Sequence, residues 1–217
     1  MELKEKALFA VTALKAAYPG AVCSLDYTDP FQLLVATRLS AQCTDARVNL
    51  VTPALFAKYP TPEAMAAADV ADVETLIHSC GFFRQKAKDI VGTAGRIAGE
   101  FGGRVPDTIE VLTTLPGVGR KTANLIVGHV YGKPAVVADT HLIRISNRLG
   151  LVRTKDPYKV ETALREILPP DESNDYCHRN VLHGRAVCDA RRPQCEGCVL
   201  NSVGDFFAAQ KETQKET

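Results

Sequence analysis

Leu115-Pro116-Gly117-Val118-Gly119-Arg120-Lys121-Thr122-Ala123 sets two glycines around one small apolar residue, with Pro116 fixing the lead-in. Glycines spaced this way permit a tight hairpin with positive φ and a close approach of the backbone to another molecule. Asp107 to Thr114 (DTIEVLTT) reads as a short helix before it, and Arg120 to Tyr131 (RKTANLIVGHVY) as a second helix after it. Backbone N–H groups of a glycine-rich turn at a helix N-terminus form an anion site, and a nucleic-acid phosphate is an obvious occupant. Gly-x-Gly alone is a weak signal. What strengthens it is the rest of the constellation: Lys121 two residues after the second glycine, and Asp139 eighteen residues further on in Val137-Ala138-Asp139-Thr140-His141.

The 217 residues suffice for one large domain or two small ones sharing a core. A hydrophobic fraction of 46% and a charged fraction of 24% are ordinary for a soluble globular chain. No apolar run reaches membrane-span length, and Met1-Glu2-Leu3-Lys4-Glu5-Lys6 lacks the layout of a signal peptide, so a cytoplasmic location without membrane association is expected. The formal net charge of +1 does not announce a nucleic-acid binder. Distribution says more: Arg120, Lys121, Lys133, Arg144, Arg148, Arg153, Arg179, Arg185, Arg191 and Arg192 all lie in the second half. That skew fits a DNA-facing patch, although solvated helix faces produce much of it too.

Working outward, helical spacing dominates. Leu3, Ala7, Leu8, Val11 and Leu14 mark a first helix that Pro19-Gly20 ends. Asp29-Pro30 opens a second through Leu39, and Thr44 caps a third. Thr61-Pro62 and Asp69 are further start signals, with Gly81 a candidate left-handed cap. Phe83 to Phe101 is amphipathic, Ala135-Val136-Val137 runs extended into Asp139, and Asp139 sits where an N-cap belongs for Thr140 to Leu149. Pro157 to Leu168 and Asn174 to Ala186 complete the set. Alternating strand patterns are nearly absent, so the fold class is all-α. The repeated Gln-Lys-Glu-Thr of residues 210–217 is expected to be a disordered tail.

The helix, L-P-G-V-G turn, helix unit with Lys121 and Asp139 resembles the endonuclease III family, helix-hairpin-helix DNA glycosylases with abasic-site lyase activity. The likeness runs to about residue 200. It implies a two-lobed fold: one helical bundle at 22–133 with the helix-hairpin-helix at 107–131, and a second lobe joining 1–21 to 134–209 with a cysteine loop at 188–204. DNA would lie in the cleft between them. It also implies base excision repair of oxidised pyrimidines in duplex DNA by a monomer that both removes the base and cleaves at the abasic site.

Under that resemblance Lys121 is the nucleophile. An amine attacking the sugar C1′ leaves a Schiff base that makes the C2′ proton acidic, and burial and the positive end of the following helix would both lower the pKa of Lys121. Read on its own, Lys121 is a phosphate contact or a solvated surface lysine. Asp139 is its implied partner, a carboxylate that stabilises oxocarbenium character, while spacing alone gives only an N-cap. Gln42, in Ser-Ala-Gln-Cys-Thr-Asp, matches the position that meets the orphaned base once the target nucleotide is extruded. Phe82 matches the wedge between bases, and burial in the core is an equal reading; Phe83 reads as core. Gly117, Gly119 and Arg120 are the expected phosphate contacts of the hairpin.

Seven cysteines do not suggest disulfides in such a compartment. Cys23, Cys43, Cys80 and Cys177 are scattered and read as small buried hydrophobes. Cys188, Cys195 and Cys198 are clustered beside Arg191 and Arg192 and read as metal or iron–sulfur ligands. The family holds a [4Fe–4S] cluster with a fourth cysteine six residues later, where this chain has Gly204. The open position is left to Asp205, water, Cys177 or a three-iron form, a site without a cluster is a further reading, and zinc with His178 or His183 is the alternative chemistry. Arg191 and Arg192 are expected to contact phosphates in any case. The competing reading of the whole chain is a non-catalytic DNA-binding paralogue. The family's adenine glycosylases are set aside because this chain has Lys121 and Gln42 and no room for their extra domain.

Overall fold

A computed structural model describes residues 1–209; the expected tail at 210–217 lies outside the described residues. The described chain is helical, with no strand, and none of its helices is long and apolar enough to cross a membrane. It divides into two compact units, one of Ser24–Gly132 and one of Met1–Cys23 with the chain from Lys133 onward.

The continuous unit holds α2 (Pro30–Ser40), α3 (Asp45–Lys58), α4 (Pro62–Ala66), α5 (Val70–Leu76), α6 (Phe83–Phe101), α7 (Ile109–Leu112) and α8 (Arg120–Tyr131), with α1 (Leu3–Ala17) preceding it in the other unit. Helix α2 buries Phe31, Leu33, Leu34, Val35, Ala36 and Leu39. Buried residues lie on most sides of it, so it is the central helix of its unit, and α3, α6 and α8 pack against it. Each start follows from a side chain. Asp29 accepts from the Gln32 amide with Pro30 at the first position, and Thr44, Thr61, Asp69 and Thr108 cap α3, α4, α5 and α7. Such a cap satisfies one of the orphan donors of the first turn. Helix α7 is shorter than the expected 107–114, because Thr108 is its cap and the backbone tightens into turns after Leu112. The left-handed residue expected at Gly81 is instead Phe82, with φ 57°.

Helix α6 is the longest. Its stripe of Ala87, Ile90, Ala94 and Ile97 is buried, and it packs on α2, α4 and α5. Lys86, Asp89 and Thr93 are also buried on it, so its inner face is part polar.

The discontinuous unit packs α1 against α10 (Pro157–Ile167) and α11 (Ser173–Ala186), and α11 also packs against α9 (Thr140–Leu149). Residues 205–209 are helical. Buried Arg179 reaches Glu172 at 2.6 Å and Asp175 at 3.0 Å, and Lys15 of α1 also pairs with Glu172. Hydrogen bonds from Lys15 and Arg179 hold the Glu172 carboxyl below its usual range.

A carboxylate held below its unfolded pKa adds stability above that pKa and loses it as pH falls through the folded value. Arg179→Ala, which empties a buried position and takes one partner each from Glu172 and the exposed Asp175, should cost about 2 kcal/mol in denaturant unfolding at pH 7. Glu172→Gln should cost about 1 kcal/mol there, and its deficit against wild type should shrink as pH falls below the ordinary glutamate range and the wild-type carboxyl protonates.

Candidate active site

The turn joining α7 to α8 is built as the glycine spacing predicts, with one difference. Gly117 takes φ 68°, which disfavours any side chain. Gly119 is the extended N-cap of α8, φ −87°, and nothing lies within 4 Å of where its Cβ would be. The second glycine therefore leaves the helix start open, and the first makes the bend. The amide of Val118 donates to the Leu115 carbonyl at 3.2 Å, and the Pro116 carbonyl accepts the Thr93 hydroxyl at 2.8 Å. The α8 N-terminus carries the positive end of a twelve-residue helix, and Arg120 and Lys121 stand in its first turn.

Lys121 is exposed. The burial expected to act on it is not found, because its place in the first turn of α8 opens outward.

Asp139 is the N-cap of α9, its Oδ1 accepting the Leu142 amide at 2.7 Å. The segment ahead of it, Ala135 to Val137, is buried and extended. Two residues of α11 pin it: Ser173 Oγ accepts from the Ala135 amide at 3.2 Å and Cys177 Sγ from the Val137 amide at 3.3 Å. Ser173 and Cys177 are one helical turn apart and so reach alternate residues of this irregular segment. Burial pushes the Cys177 thiol up to about 12, and the thiol donates to the Ser173 carbonyl. Cys177 is thus engaged with backbone on both sides and does not line the cavity of the other three cysteines, which removes it as a substitute cluster ligand.

Gln42 and Phe82 are exposed, and among the described residues they are the non-glycines with positive φ, 54° and 57°. Phe82 is 69% exposed, which decides against the core reading. A Cβ on Gly81 would sit 3.3 Å from the Gln42 carbonyl, so the two loops lie against each other. Phe83 is half-buried and stacks obliquely on His78. The two strained positions carried no signal in the sequence beyond the resemblance.

In the cysteine loop, Arg148 donates to the carbonyls of Cys188, Asp189 and Ala190 and to Cys188 Sγ at 3.1 Å, and Phe206 lies under its guanidinium. Arg144 adds a bond to the Cys188 carbonyl. Both belong to the basic skew of the second half, and here they tie the loop. Arg191 and Arg192 are exposed, and their amides bond to Asp189, which lowers that carboxyl. His183 Nε2 meets Cys198 Sγ at 3.3 Å and its Nδ1 meets the Tyr18 hydroxyl at 3.2 Å; burial lowers its pKa to about 4. Asp205, offered as a fourth ligand, is paired with Lys6 at 2.6 Å.

Cys188, Cys195, Cys198, His183 and Gly204 line one cavity. Among the described residues no three His, Cys, Asp or Glu side chains gather as a single metal ion requires, which weighs against the zinc alternative. A [4Fe–4S] cluster asks for four well-separated thiolates, and the chain supplies three around the cavity. At Gly204 a Cβ would meet only the Leu200 carbonyl at 3.4 Å and two atoms at 3.9 Å. A side chain therefore fits at residue 204.

Residues 35–170 match the HhH-GPD superfamily of base excision DNA repair proteins. The chain is 52% identical to endonuclease III of Synechocystis over 198 residues, 91% of this chain and 90% of that one. It belongs to the endonuclease III family. The Escherichia coli K12 endonuclease III is 36% identical over 94% of this chain and 96% of its own. A solved structure of a trapped endonuclease III–DNA covalent intermediate superposes with a TM-score of 0.90 at 39% identity, covering 97% of this chain and all of that one. A thermostable thymine-DNA glycosylase, 21% identical with a TM-score of 0.84, shares the fold.

Against that family frame Gly204 gives a direct test of the cavity. Gly204→Cys should slow the loss of iron to a chelator in anaerobically purified protein, since it offers a fourth thiolate to the cavity. Equal rates of iron loss in variant and wild type would show that residue 204 does not face a cluster.

Proposed function

We propose that this chain is a bifunctional DNA glycosylase and abasic-site lyase acting on oxidised pyrimidines in duplex DNA, with Lys121 as nucleophile and Asp139 as its carboxylate. The observation that carries the reading is Lys121 in the open first turn of α8, directly after the Gly117–Gly119 bend, in a chain so similar to an endonuclease III trapped covalently on DNA.

The steps follow from the groups. Backbone amides of the turn and the α8 terminus bind a phosphate, and Arg120, Arg191 and Arg192 add sequence-independent attraction. The damaged nucleotide is extruded, Phe82 fills the space it leaves between neighbouring bases, and Gln42 hydrogen-bonds to the orphaned partner base. The amine of Lys121 attacks C1′ as the C1′–N bond breaks, and the base departs with the bonding pair and takes a proton from water. Asp139 stabilises the positive character that develops at the sugar and takes the proton released by the attacking amine. Asp139 returns that proton to O4′ as the sugar ring opens, which gives the Schiff base. Loss of the C2′ proton then expels the 3′ phosphate by β-elimination, and water releases Lys121.

The cysteine loop does not enter this chemistry. The reading supported there is a [4Fe–4S] cluster on Cys188, Cys195 and Cys198 with one iron lacking a protein thiolate. Bound, such a cluster would stiffen the loop that carries Arg191 and Arg192.

Borohydride reduction of the Schiff base supplies the test. Wild type should form a covalent adduct with abasic DNA and Lys121→Ala none. Protein that binds such DNA yet gives no adduct would favour the non-catalytic reading. Asp139 separates by two substitutions: Asp139→Asn keeps a capping oxygen and should stay within about 0.5 kcal/mol of wild-type stability while excision falls at least about 100-fold. Asp139→Ala should lose that activity and also about 1 kcal/mol of stability. Retained excision in Asp139→Asn would leave Asp139 only its cap.

A further inference from the structure

Three features that meet DNA in this reading are attached to one helix. Phe82 is the residue from which α6 starts, and its carbonyl accepts the Lys86 amide at 3.1 Å. Lys86 Nζ donates to the Leu39 carbonyl at 2.7 Å, three residues ahead of Gln42. One turn on, Asp89 Oδ2 accepts from Arg38 Nε at 2.9 Å and Nη2 at 2.6 Å, while its Oδ1 accepts from Gln85. Gly117 backs onto that ion pair so closely that a Cβ would lie 2.5 Å from Asp89 Oδ2 and 2.6 Å from Arg38 Nε. Another turn on, Thr93 holds the Pro116 carbonyl at 2.8 Å, and the Pro116 ring rests against Gly92.

Lys86, Asp89 and Thr93 thus form an inner stripe at helical spacing, with relative exposures of 0%, 8% and 4%. A methionine at position 86 would fill much the same space without the cost of desolvating an ammonium. What it lacks is a donor for the Leu39 carbonyl. Asp89 likewise does more than pair with Arg38, because the pair forms the floor on which Gly117 bends. Eleven residues of helix separate Phe82 from Thr93, so the wedge and the phosphate-binding turn are held about 16 Å apart along a rigid axis.

We propose that Lys86, Asp89 and Thr93 are positioning residues for base extrusion, fixing the Gln42 loop and Phe82 at a set distance from the Leu115–Gly119 turn. Phosphate binding beside the middle of α6 then fixes where the wedge at its N-terminus enters the stack. The proposal rests on the glycosylase reading above and concerns the opening of the duplex, not attack at C1′.

The test uses substrates that differ in whether a stack must be opened. One is a duplex with an oxidised pyrimidine opposite 2-aminopurine, whose fluorescence rises on unstacking; the other is single-stranded abasic DNA, trapped with borohydride. Lys86→Met should lower single-turnover excision from the duplex by about tenfold or more and suppress the fluorescence rise. Its trapping on single-stranded abasic DNA should stay within about twofold of wild type, since no stack has to open there. Thr93→Val should behave in the same way, and Thr93→Ser, which restores the hydroxyl, should recover duplex excision. Equal losses on both substrates, an unchanged fluorescence rise, or failure of Thr93→Ser to recover would overturn the proposal. Should Lys86→Met not fold by circular dichroism, the threonine pair decides alone. If wild type itself gives no adduct on single-stranded abasic DNA, the glycosylase reading falls; if it does and both variants match it on duplex, only the positioning role falls.

Discussion

The ion pair between Arg38 and Asp89 is the constraint on which the continuous unit turns. It joins the end of the central helix α2 to the middle of α6, and the hairpin bends over it. Two nearly buried charges are costly to desolvate unless their hydrogen bonds are met; here two guanidinium bonds share one carboxylate oxygen, and Gln85 takes the other. The geometry leaves no room for a side chain at residue 117. Conformation and packing thus give the same answer there, since φ 68° and a 2.5 Å approach to Asp89 each call for glycine.

Much of this was legible in the residues. Helix starts at Asp29-Pro30, Thr44, Thr61, Asp69 and Asp139 were readable because a cap is a local matter, settled within one turn of chain. The glycine bend was readable for the same reason. What lay beyond reach was long-range. Nothing near Lys86 in the chain announces that its amine meets Leu39, forty-seven residues away. Nothing near Arg148 announces that it fans across the carbonyls of a loop forty residues on. The misplaced left-handed residue is instructive too. Gly81 was the natural candidate by conformational cost, yet Phe82 takes the strain, which turns an aromatic ring outward in the reverse of its usual burial.

Strain of this kind persists only where surrounding structure over-determines it. The Gln42 and Phe82 loops rest against each other and are anchored by Lys86 beneath, so each constrains its neighbour. The other unit solves a comparable problem differently. Asp139 is held by a buried extended segment, which hangs by two amides from Ser173 and Cys177 of one helix. In both units, groups assigned to chemistry sit at the ends of helices, and groups that fix them sit one turn apart on a neighbouring helix.

The order in which the chain leaves the ribosome bears on the discontinuous unit. Helix α1 is made first, and the helices it packs on, α10 and α11, come only after the whole of Ser24–Gly132. At ordinary elongation rates, those intervening residues take about 5–20 s to synthesise. For that interval the apolar face of α1, Ala7, Ala10, Val11 and Leu14, has no partner from its own unit, so the discontinuous unit closes only after the continuous one has been made.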